Sequence, residues 1–218
     1  AISGTTVVVG AHNKAAIGGS GGGSVYLFDT TTGQQIAKLL PSDGVVTGDQ
    51  FGVSVAISGT TVVVGTPGDN DNGVRSGSAY LFDTTTGQQI SKLLPNDGVK
   101  QNQFGVSVAI SGATAVVGAY RDGDFGNLSG SAYLFDTTTG QQVAKLLPSD
   151  RAAGDHFGWT VAISGAAAVG GADRNGGDGA GPGSAYLFDT TTGQQVAKLL
   201  PSDGADWISF GHSVAVSG

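Results

Sequence analysis

Few side chains in these 218 residues are equipped for chemistry. Cysteine is absent, which excludes disulfides, thiolate metal sites and cysteine nucleophiles. The three histidines are His12, His156 and His212. A nucleophile needs a base within reach and a partner to orient it. The histidines fall at non-equivalent places, and His156 stands where related stretches carry Gln50 and Gln103. No catalytic residue is therefore assigned, and the chain is expected not to be an enzyme. Asp122 and Asp124 form the kind of carboxylate pair that glycoside hydrolysis uses, although turn chemistry explains them more simply. The glycine run over 18–23 lacks the GK[ST] ending of a phosphate loop. Tyr120, Phe125 and Trp207 lie in expected loops, where an aromatic ring stacks on a sugar or anchors a protein ligand; Trp159 falls in an expected strand and reads as core. Asn127-Leu128-Ser129 is a glycosylation sequon.

The elements that position these residues are repeated. Phe51-Gly52, Phe104-Gly105, Phe157-Gly158 and Phe210-Gly211 recur at a constant step of 53 residues, from 51 to 104 to 157 to 210. Around each lie close variants of FGVSVAISG, a TTVVVG-like run, a Gly/Asp-rich stretch and a close variant of SAYLFDTTTGQQIAKLLPSDG. A period of this size marks supersecondary units that must stack to bury their apolar faces. In the second unit, residues 51–58 alternate bulky Phe51, Val53, Val55 and Ile57 with small Gly52, Ser54, Ala56 and Ser58, as a strand between two sheets requires. A turn at Ser58-Gly59 leads to a β-branched strand over 60–64. A loop follows to Gly77, then a strand over 78–82, a hairpin at Asp83–Gly87 and a strand over 88–94 that Pro95 ends. Lys38, Lys92, Lys145 and Lys198 recur in that last strand, as edge guards or as a ring of four cations.

Composition agrees. The net charge is −7 and every acidic residue is Asp, a turn former, with no Glu to favour helix. The acidity fits solubility or cation binding and opposes a nucleic-acid partner. No apolar run approaches the roughly 20 residues of a membrane helix, so no membrane insertion is expected. The missing Met suggests a processed chain or a segment of a longer one.

The expected fold is all-β, a single β-propeller over 1–218 with four four-stranded antiparallel blades. Ala1–Gly4 matches Ala56–Gly59, in mid-strand. Residues 210–218 are therefore expected to complete the first blade, closing the ring by N-/C-terminal strand complementation and hiding two sheet edges. A monomeric ring is expected, with a half-ring that dimerises into eight blades as the alternative.

The units resemble the FG-GAP repeat, the blade motif of the integrin α-subunit propeller and of many bacterial surface and secreted proteins. The residues that carry it are Phe51-Gly52, then 62–67 (VVVGTP), then 77–82 (GSAYLF), with Gly118-Ala119-Tyr120 and Gly10-Ala11-His12 at the place of Gly65-Thr66-Pro67. The resemblance implies a non-enzymatic binding or adhesion module outside the cell or at its surface, with a protein or carbohydrate ligand. The alternatives are a lectin-like propeller, a polysaccharide hydrolase or a structural segment of a longer array. It also implies calcium in the loop after the GAP segment, an ion that takes six to eight oxygen ligands. The implied ligands are Asp69 and Asp71 in the second unit, Asp122 and Asp124 in the third, and Asp173 and Asn175 in the fourth. Lys14 opposes a cation in the first.

Overall fold

The computed structural model describes residues 1–13, 21–174, 181–203 and 209–217. Sixteen strands among them form four antiparallel sheets, and none of these residues is helical. The first blade is β1 (Ile2–Ser3), β2 (Thr6–Ala11), β3 (Ser24–Asp29) and β4 (Gln35–Leu39). The second is β5 (Ser54–Ser58), β6 (Thr61–Thr66), β7 (Ser78–Asp83) and β8 (Gln89–Leu93). The third is β9 (Ser107–Ser111), β10 (Thr114–Ala119), β11 (Ser131–Asp136) and β12 (Gln142–Leu146). The fourth is β13 (Thr160–Ser164), β14 (Ala167–Ala172), β15 (Ser184–Asp189) and β16 (Gln195–Leu199). In each sheet the strands pair in chain order as a meander, so this is a propeller of four four-stranded blades.

Turn chemistry sets the hairpins. Asp83 Oδ1 accepts the backbone N–H groups of Thr85 at 2.7 Å and Thr86 at 2.9 Å, and Gly87 takes φ +69°. The same Asp-and-Gly arrangement recurs at Asp29, Asp136 and Asp189. Valines 62–64 are wholly buried, because each middle blade is covered on both faces. Three apolar clusters fill the three junctions between successive blades, and among the described residues no fourth joins the last blade to the first.

The Phe–Gly pair departs from the expected strand. Phe51 does not begin β5. Gln50 at φ +62° and Gly52 at φ +86° turn the chain on either side of it. Its N–H donates to Gly22 O at 2.8 Å, and it bridges Gly23 of the preceding blade. Its ring is thereby driven into the junction against Tyr80 and Phe82, while Val53 is left 37% exposed rather than on the face of Ile57. Phe104, Phe157 and Phe210 repeat the bridge to the glycine of the blade before them.

The expected strand exchange is likewise not seen. Phe210 bridges Gly183 of the fourth blade as the other phenylalanines bridge the blade before them, but residues 209–217 form no strand and add none to the first sheet. β1 pairs with β2 alone. Neighbouring blades touch through β1 and β5, β5 and β9, and β9 and β13, which among the described residues traces an open arc rather than a closed ring.

Candidate functional site

The carboxylates implied as calcium ligands are brought together in the second and third blades. Asp43, Asp69 and Asp71 present carboxylate oxygens within 4.8 Å of one another, and so do Asp97, Asp122 and Asp124. Such sets could hold a metal ion. A lysine stands in each. Lys92 Nζ lies 2.7 Å from Asp43 and 2.9 Å from Asp69 and also contacts Asp71. Lys145 Nζ lies 2.6 Å from Asp97 and 2.8 Å from Asp122 and also contacts Asp124. The lysine comes from the blade's outer strand, one carboxylate from the loop of the preceding blade, and two from the loop after the GAP segment. Lys92, Lys145 and Lys198 are therefore paired with aspartates here, whereas Lys38 is exposed and forms no ion pair among the described residues. Burial would lower the Lys145 ammonium, but Asp122, Asp124 and Asp97 outweigh it and push its pKa up. Burial would raise Asp122, but Lys145 and the Tyr133 hydroxyl, which donates at 2.7 Å, hold it below the usual carboxylate range. The donor set suits a cation, and the ammonium fills that role.

The fourth blade is different. Asp173 stands at the position of Tyr120, not of Asp69 and Asp122, and joins no carboxylate cluster among the described residues. Its Oδ2 lies 3.0 Å from His212 Nδ1, and its Oδ1 lies 3.5 Å from His156 Nδ1, too long for a hydrogen bond. Oδ1 is buried without a hydrogen-bond partner. Burial would raise this carboxyl, but His156 and His212 outweigh it and hold it low. Tyr120 packs edge-on against His156 at 5.2 Å and against Trp159 at 4.9 Å between ring centroids. Trp159 in turn lies 5.8 Å from the exposed His212 ring.

This constellation joins residues that break the repeat. Trp159 precedes β13 instead of sitting in its core, and it is only half-buried. Trp159 and His212 occupy the position that is Val53 and Val106 elsewhere, and His156 occupies that of Gln50 and Gln103. Aligning the units in register is the signal that could have grouped them. Of the other expected ligand residues, Phe125 lies apart, with Arg151 stacked 3.5 Å from its ring. Asn175 and Trp207 lie outside the described residues. A groove of about 470 Å³ runs beside the third blade, lined by Lys100, Asn102, Arg121, Asp124 and Leu128 among others.

Two solved structures are similar in fold. One is the computationally designed Ika8 protein, with TM-score 0.58 and 21% identity over 91% of this chain and 47% of that one. The other is hydrazine synthase of Kuenenia stuttgartiensis, with TM-score 0.54 and 19% identity over 80% of this chain and 42% of that one. The chain spans less than half the length of either. No curated protein matches it. The FG-GAP repeat model matches residues 1–28, 34–82, 88–135 and 141–188. The matched motif is a structural contact here: each Phe–Gly glycine places its carbonyl against the GAP-segment glycine of the blade before it, Gly52 on Gly10 and Gly105 on Gly65. With that motif matched four times along its length, the chain belongs to the FG-GAP repeat family.

Proposed function

We propose that this chain is a non-enzymatic binding or adhesion module that works outside the cell or at its surface. The observation that carries the reading is the convergence of repeat-breaking side chains. Tyr120, His156, Trp159, Asp173 and His212 come from the third unit, the fourth unit and the terminal segment, and they meet in one cluster. Elsewhere the units are nearly interchangeable. The half-buried Trp159 offers an apolar face, and the exposed His212 ring, held by Asp173 Oδ2 at 3.0 Å, offers a polar group to one ligand. That combination favours a carbohydrate over a purely apolar ligand.

Hydrolysis is less well supported. A glycosidase keeps one carboxyl protonated as its acid, whereas Asp122 is held ionised by Lys145. Calcium at the carboxylate clusters would have to displace the lysine ammonium that each cluster holds in this structure.

The test uses a Trp207→Phe background, which leaves Trp159 as the sole tryptophan reporter. Glycans identified on a glycan array are titrated against its fluorescence. The expected result is a saturable change that is lost with Asp173→Asn or Tyr120→Ala. Turnover of an array glycan that disappears with Asp122→Asn would overturn the non-enzymatic reading.

A further inference from the structure

Each blade junction repeats one set of contacts. The last leucine of a blade, Leu39, Leu93 or Leu146, is buried to 1% exposure or less beneath the next blade. The backbone N–H of Ser42, Asn96 or Ser149 donates to Oε1 of Gln89, Gln142 or Gln195 in the following blade, at 2.8, 2.9 and 2.8 Å. One residue further on, Asp43, Asp97 or Asp150 takes the ammonium of Lys92, Lys145 or Lys198.

Both halves of a fourth such junction stand open at the two ends of the arc. On the last blade Leu199 is 41% exposed, and Ser202 and Asp203 are exposed. On the first blade Ile2 is 64% and Val9 44% exposed, where Ile57 and Val64 are 9% and 0%. Gln35 and Lys38 are exposed there too, and neither Lys38 nor Asp203 forms an ion pair among the described residues. We propose that two copies of this chain dock head to tail, the last blade of each on the first blade of the other. The docked pair closes a ring of eight blades. Leu199 of one copy is covered by β2 and β3 of the other, Gln35 accepts from Ser202 N–H, and Lys38 pairs with Asp203. A second copy fits because it presents both required faces with the residues the internal junctions already use. Two identical heterologous contacts around a twofold axis close without leaving an open end. Eight blades lie within the usual range for propellers, and the arc superposes on 47% of the longer designed chain.

Native mass spectrometry and sedimentation velocity of the 218-residue chain test this, with a species of twice the chain mass as the expected result. Lys38→Glu is expected to weaken self-association about tenfold or more, since a like-charge contact with Asp203 replaces the pair. Asp203→Lys should do the same, and the double variant should restore the dimer. Circular dichroism keeps loss of fold distinct from loss of dimer. A folded chain of single mass at high micromolar concentration would overturn the proposal, as would open-ended oligomers, or a Lys38→Glu variant that stays fully dimeric.

Discussion

Removing the Lys145 ammonium leaves Asp97, Asp122 and Asp124 facing one another, with the Asp122 side chain only 1% exposed. An uncompensated buried charge is costly, so Lys145→Met should lower stability by about 3 kcal/mol in urea unfolding. Without the ammonium the three carboxylates become open to a divalent ion. Millimolar calcium is then expected to restore part of the variant's Tm and to leave the parent's unchanged. A parent chain whose Tm falls on chelation would contradict the assignment of lysine as the resident cation. The aromatic core shows the same local sensitivity. Phe51 and Phe104 meet Phe82 and Phe135 at 74° and 71°, but Phe157 meets Phe188 at 51°. Gly170 replaces the valine of the other blades, and the Phe157 ring has moved into the space, within 2.6 Å of where a Cβ would stand.

At the scale of the element, the glycine contact between blades has little tolerance. A Cβ on Gly65 would stand 1.9 Å from Gly105 O, and one on Gly118 would stand 2.0 Å from Gly158 O. Both neighbours are backbone, so neither can turn away. Gly65→Ala is expected to cost about 3 kcal/mol or to prevent folding. Gly59, at φ +57° in the β5–β6 turn with nothing within 4 Å, should cost only about 1 kcal/mol as alanine. Thermal melts of the two variants compare crowding with backbone strain directly. The strand pattern itself was legible because period-two alternation and the Asp-Thr-Thr-Thr-Gly hairpin act locally. The start of β5 was not, since Phe51 alternates correctly with its neighbours and only the positive φ values at Gln50 and Gly52 take it out of the strand.

At the scale of the whole molecule, the arc exposes at each end what it buries three times within. Docking that adds a fourth junction makes stability depend on concentration by mass action. The Tm of the parent chain should therefore rise with protein concentration, and the rise for Lys38→Glu should begin only at about tenfold higher concentration or more. Differential scanning calorimetry over a hundredfold concentration range is the measurement.

The repeat period, the four strands of each unit and the turn residues follow from the sequence alone, because propensity, alternation and glycine placement are properties of adjacent residues. Tertiary structure decided the rest. It drew Lys92 and Lys145 into the aspartate clusters, since one aspartate of each lies on the preceding blade and the other two lie well before the lysine in its own blade, so no local pattern links them. It also gathered Tyr120, His156, Trp159, Asp173 and His212, which are scattered over three stretches of chain. The curvature of the arc is likewise tertiary. It arises where successive blades pack on one another, through apolar clusters whose members come from two units and which no pattern within one unit encodes.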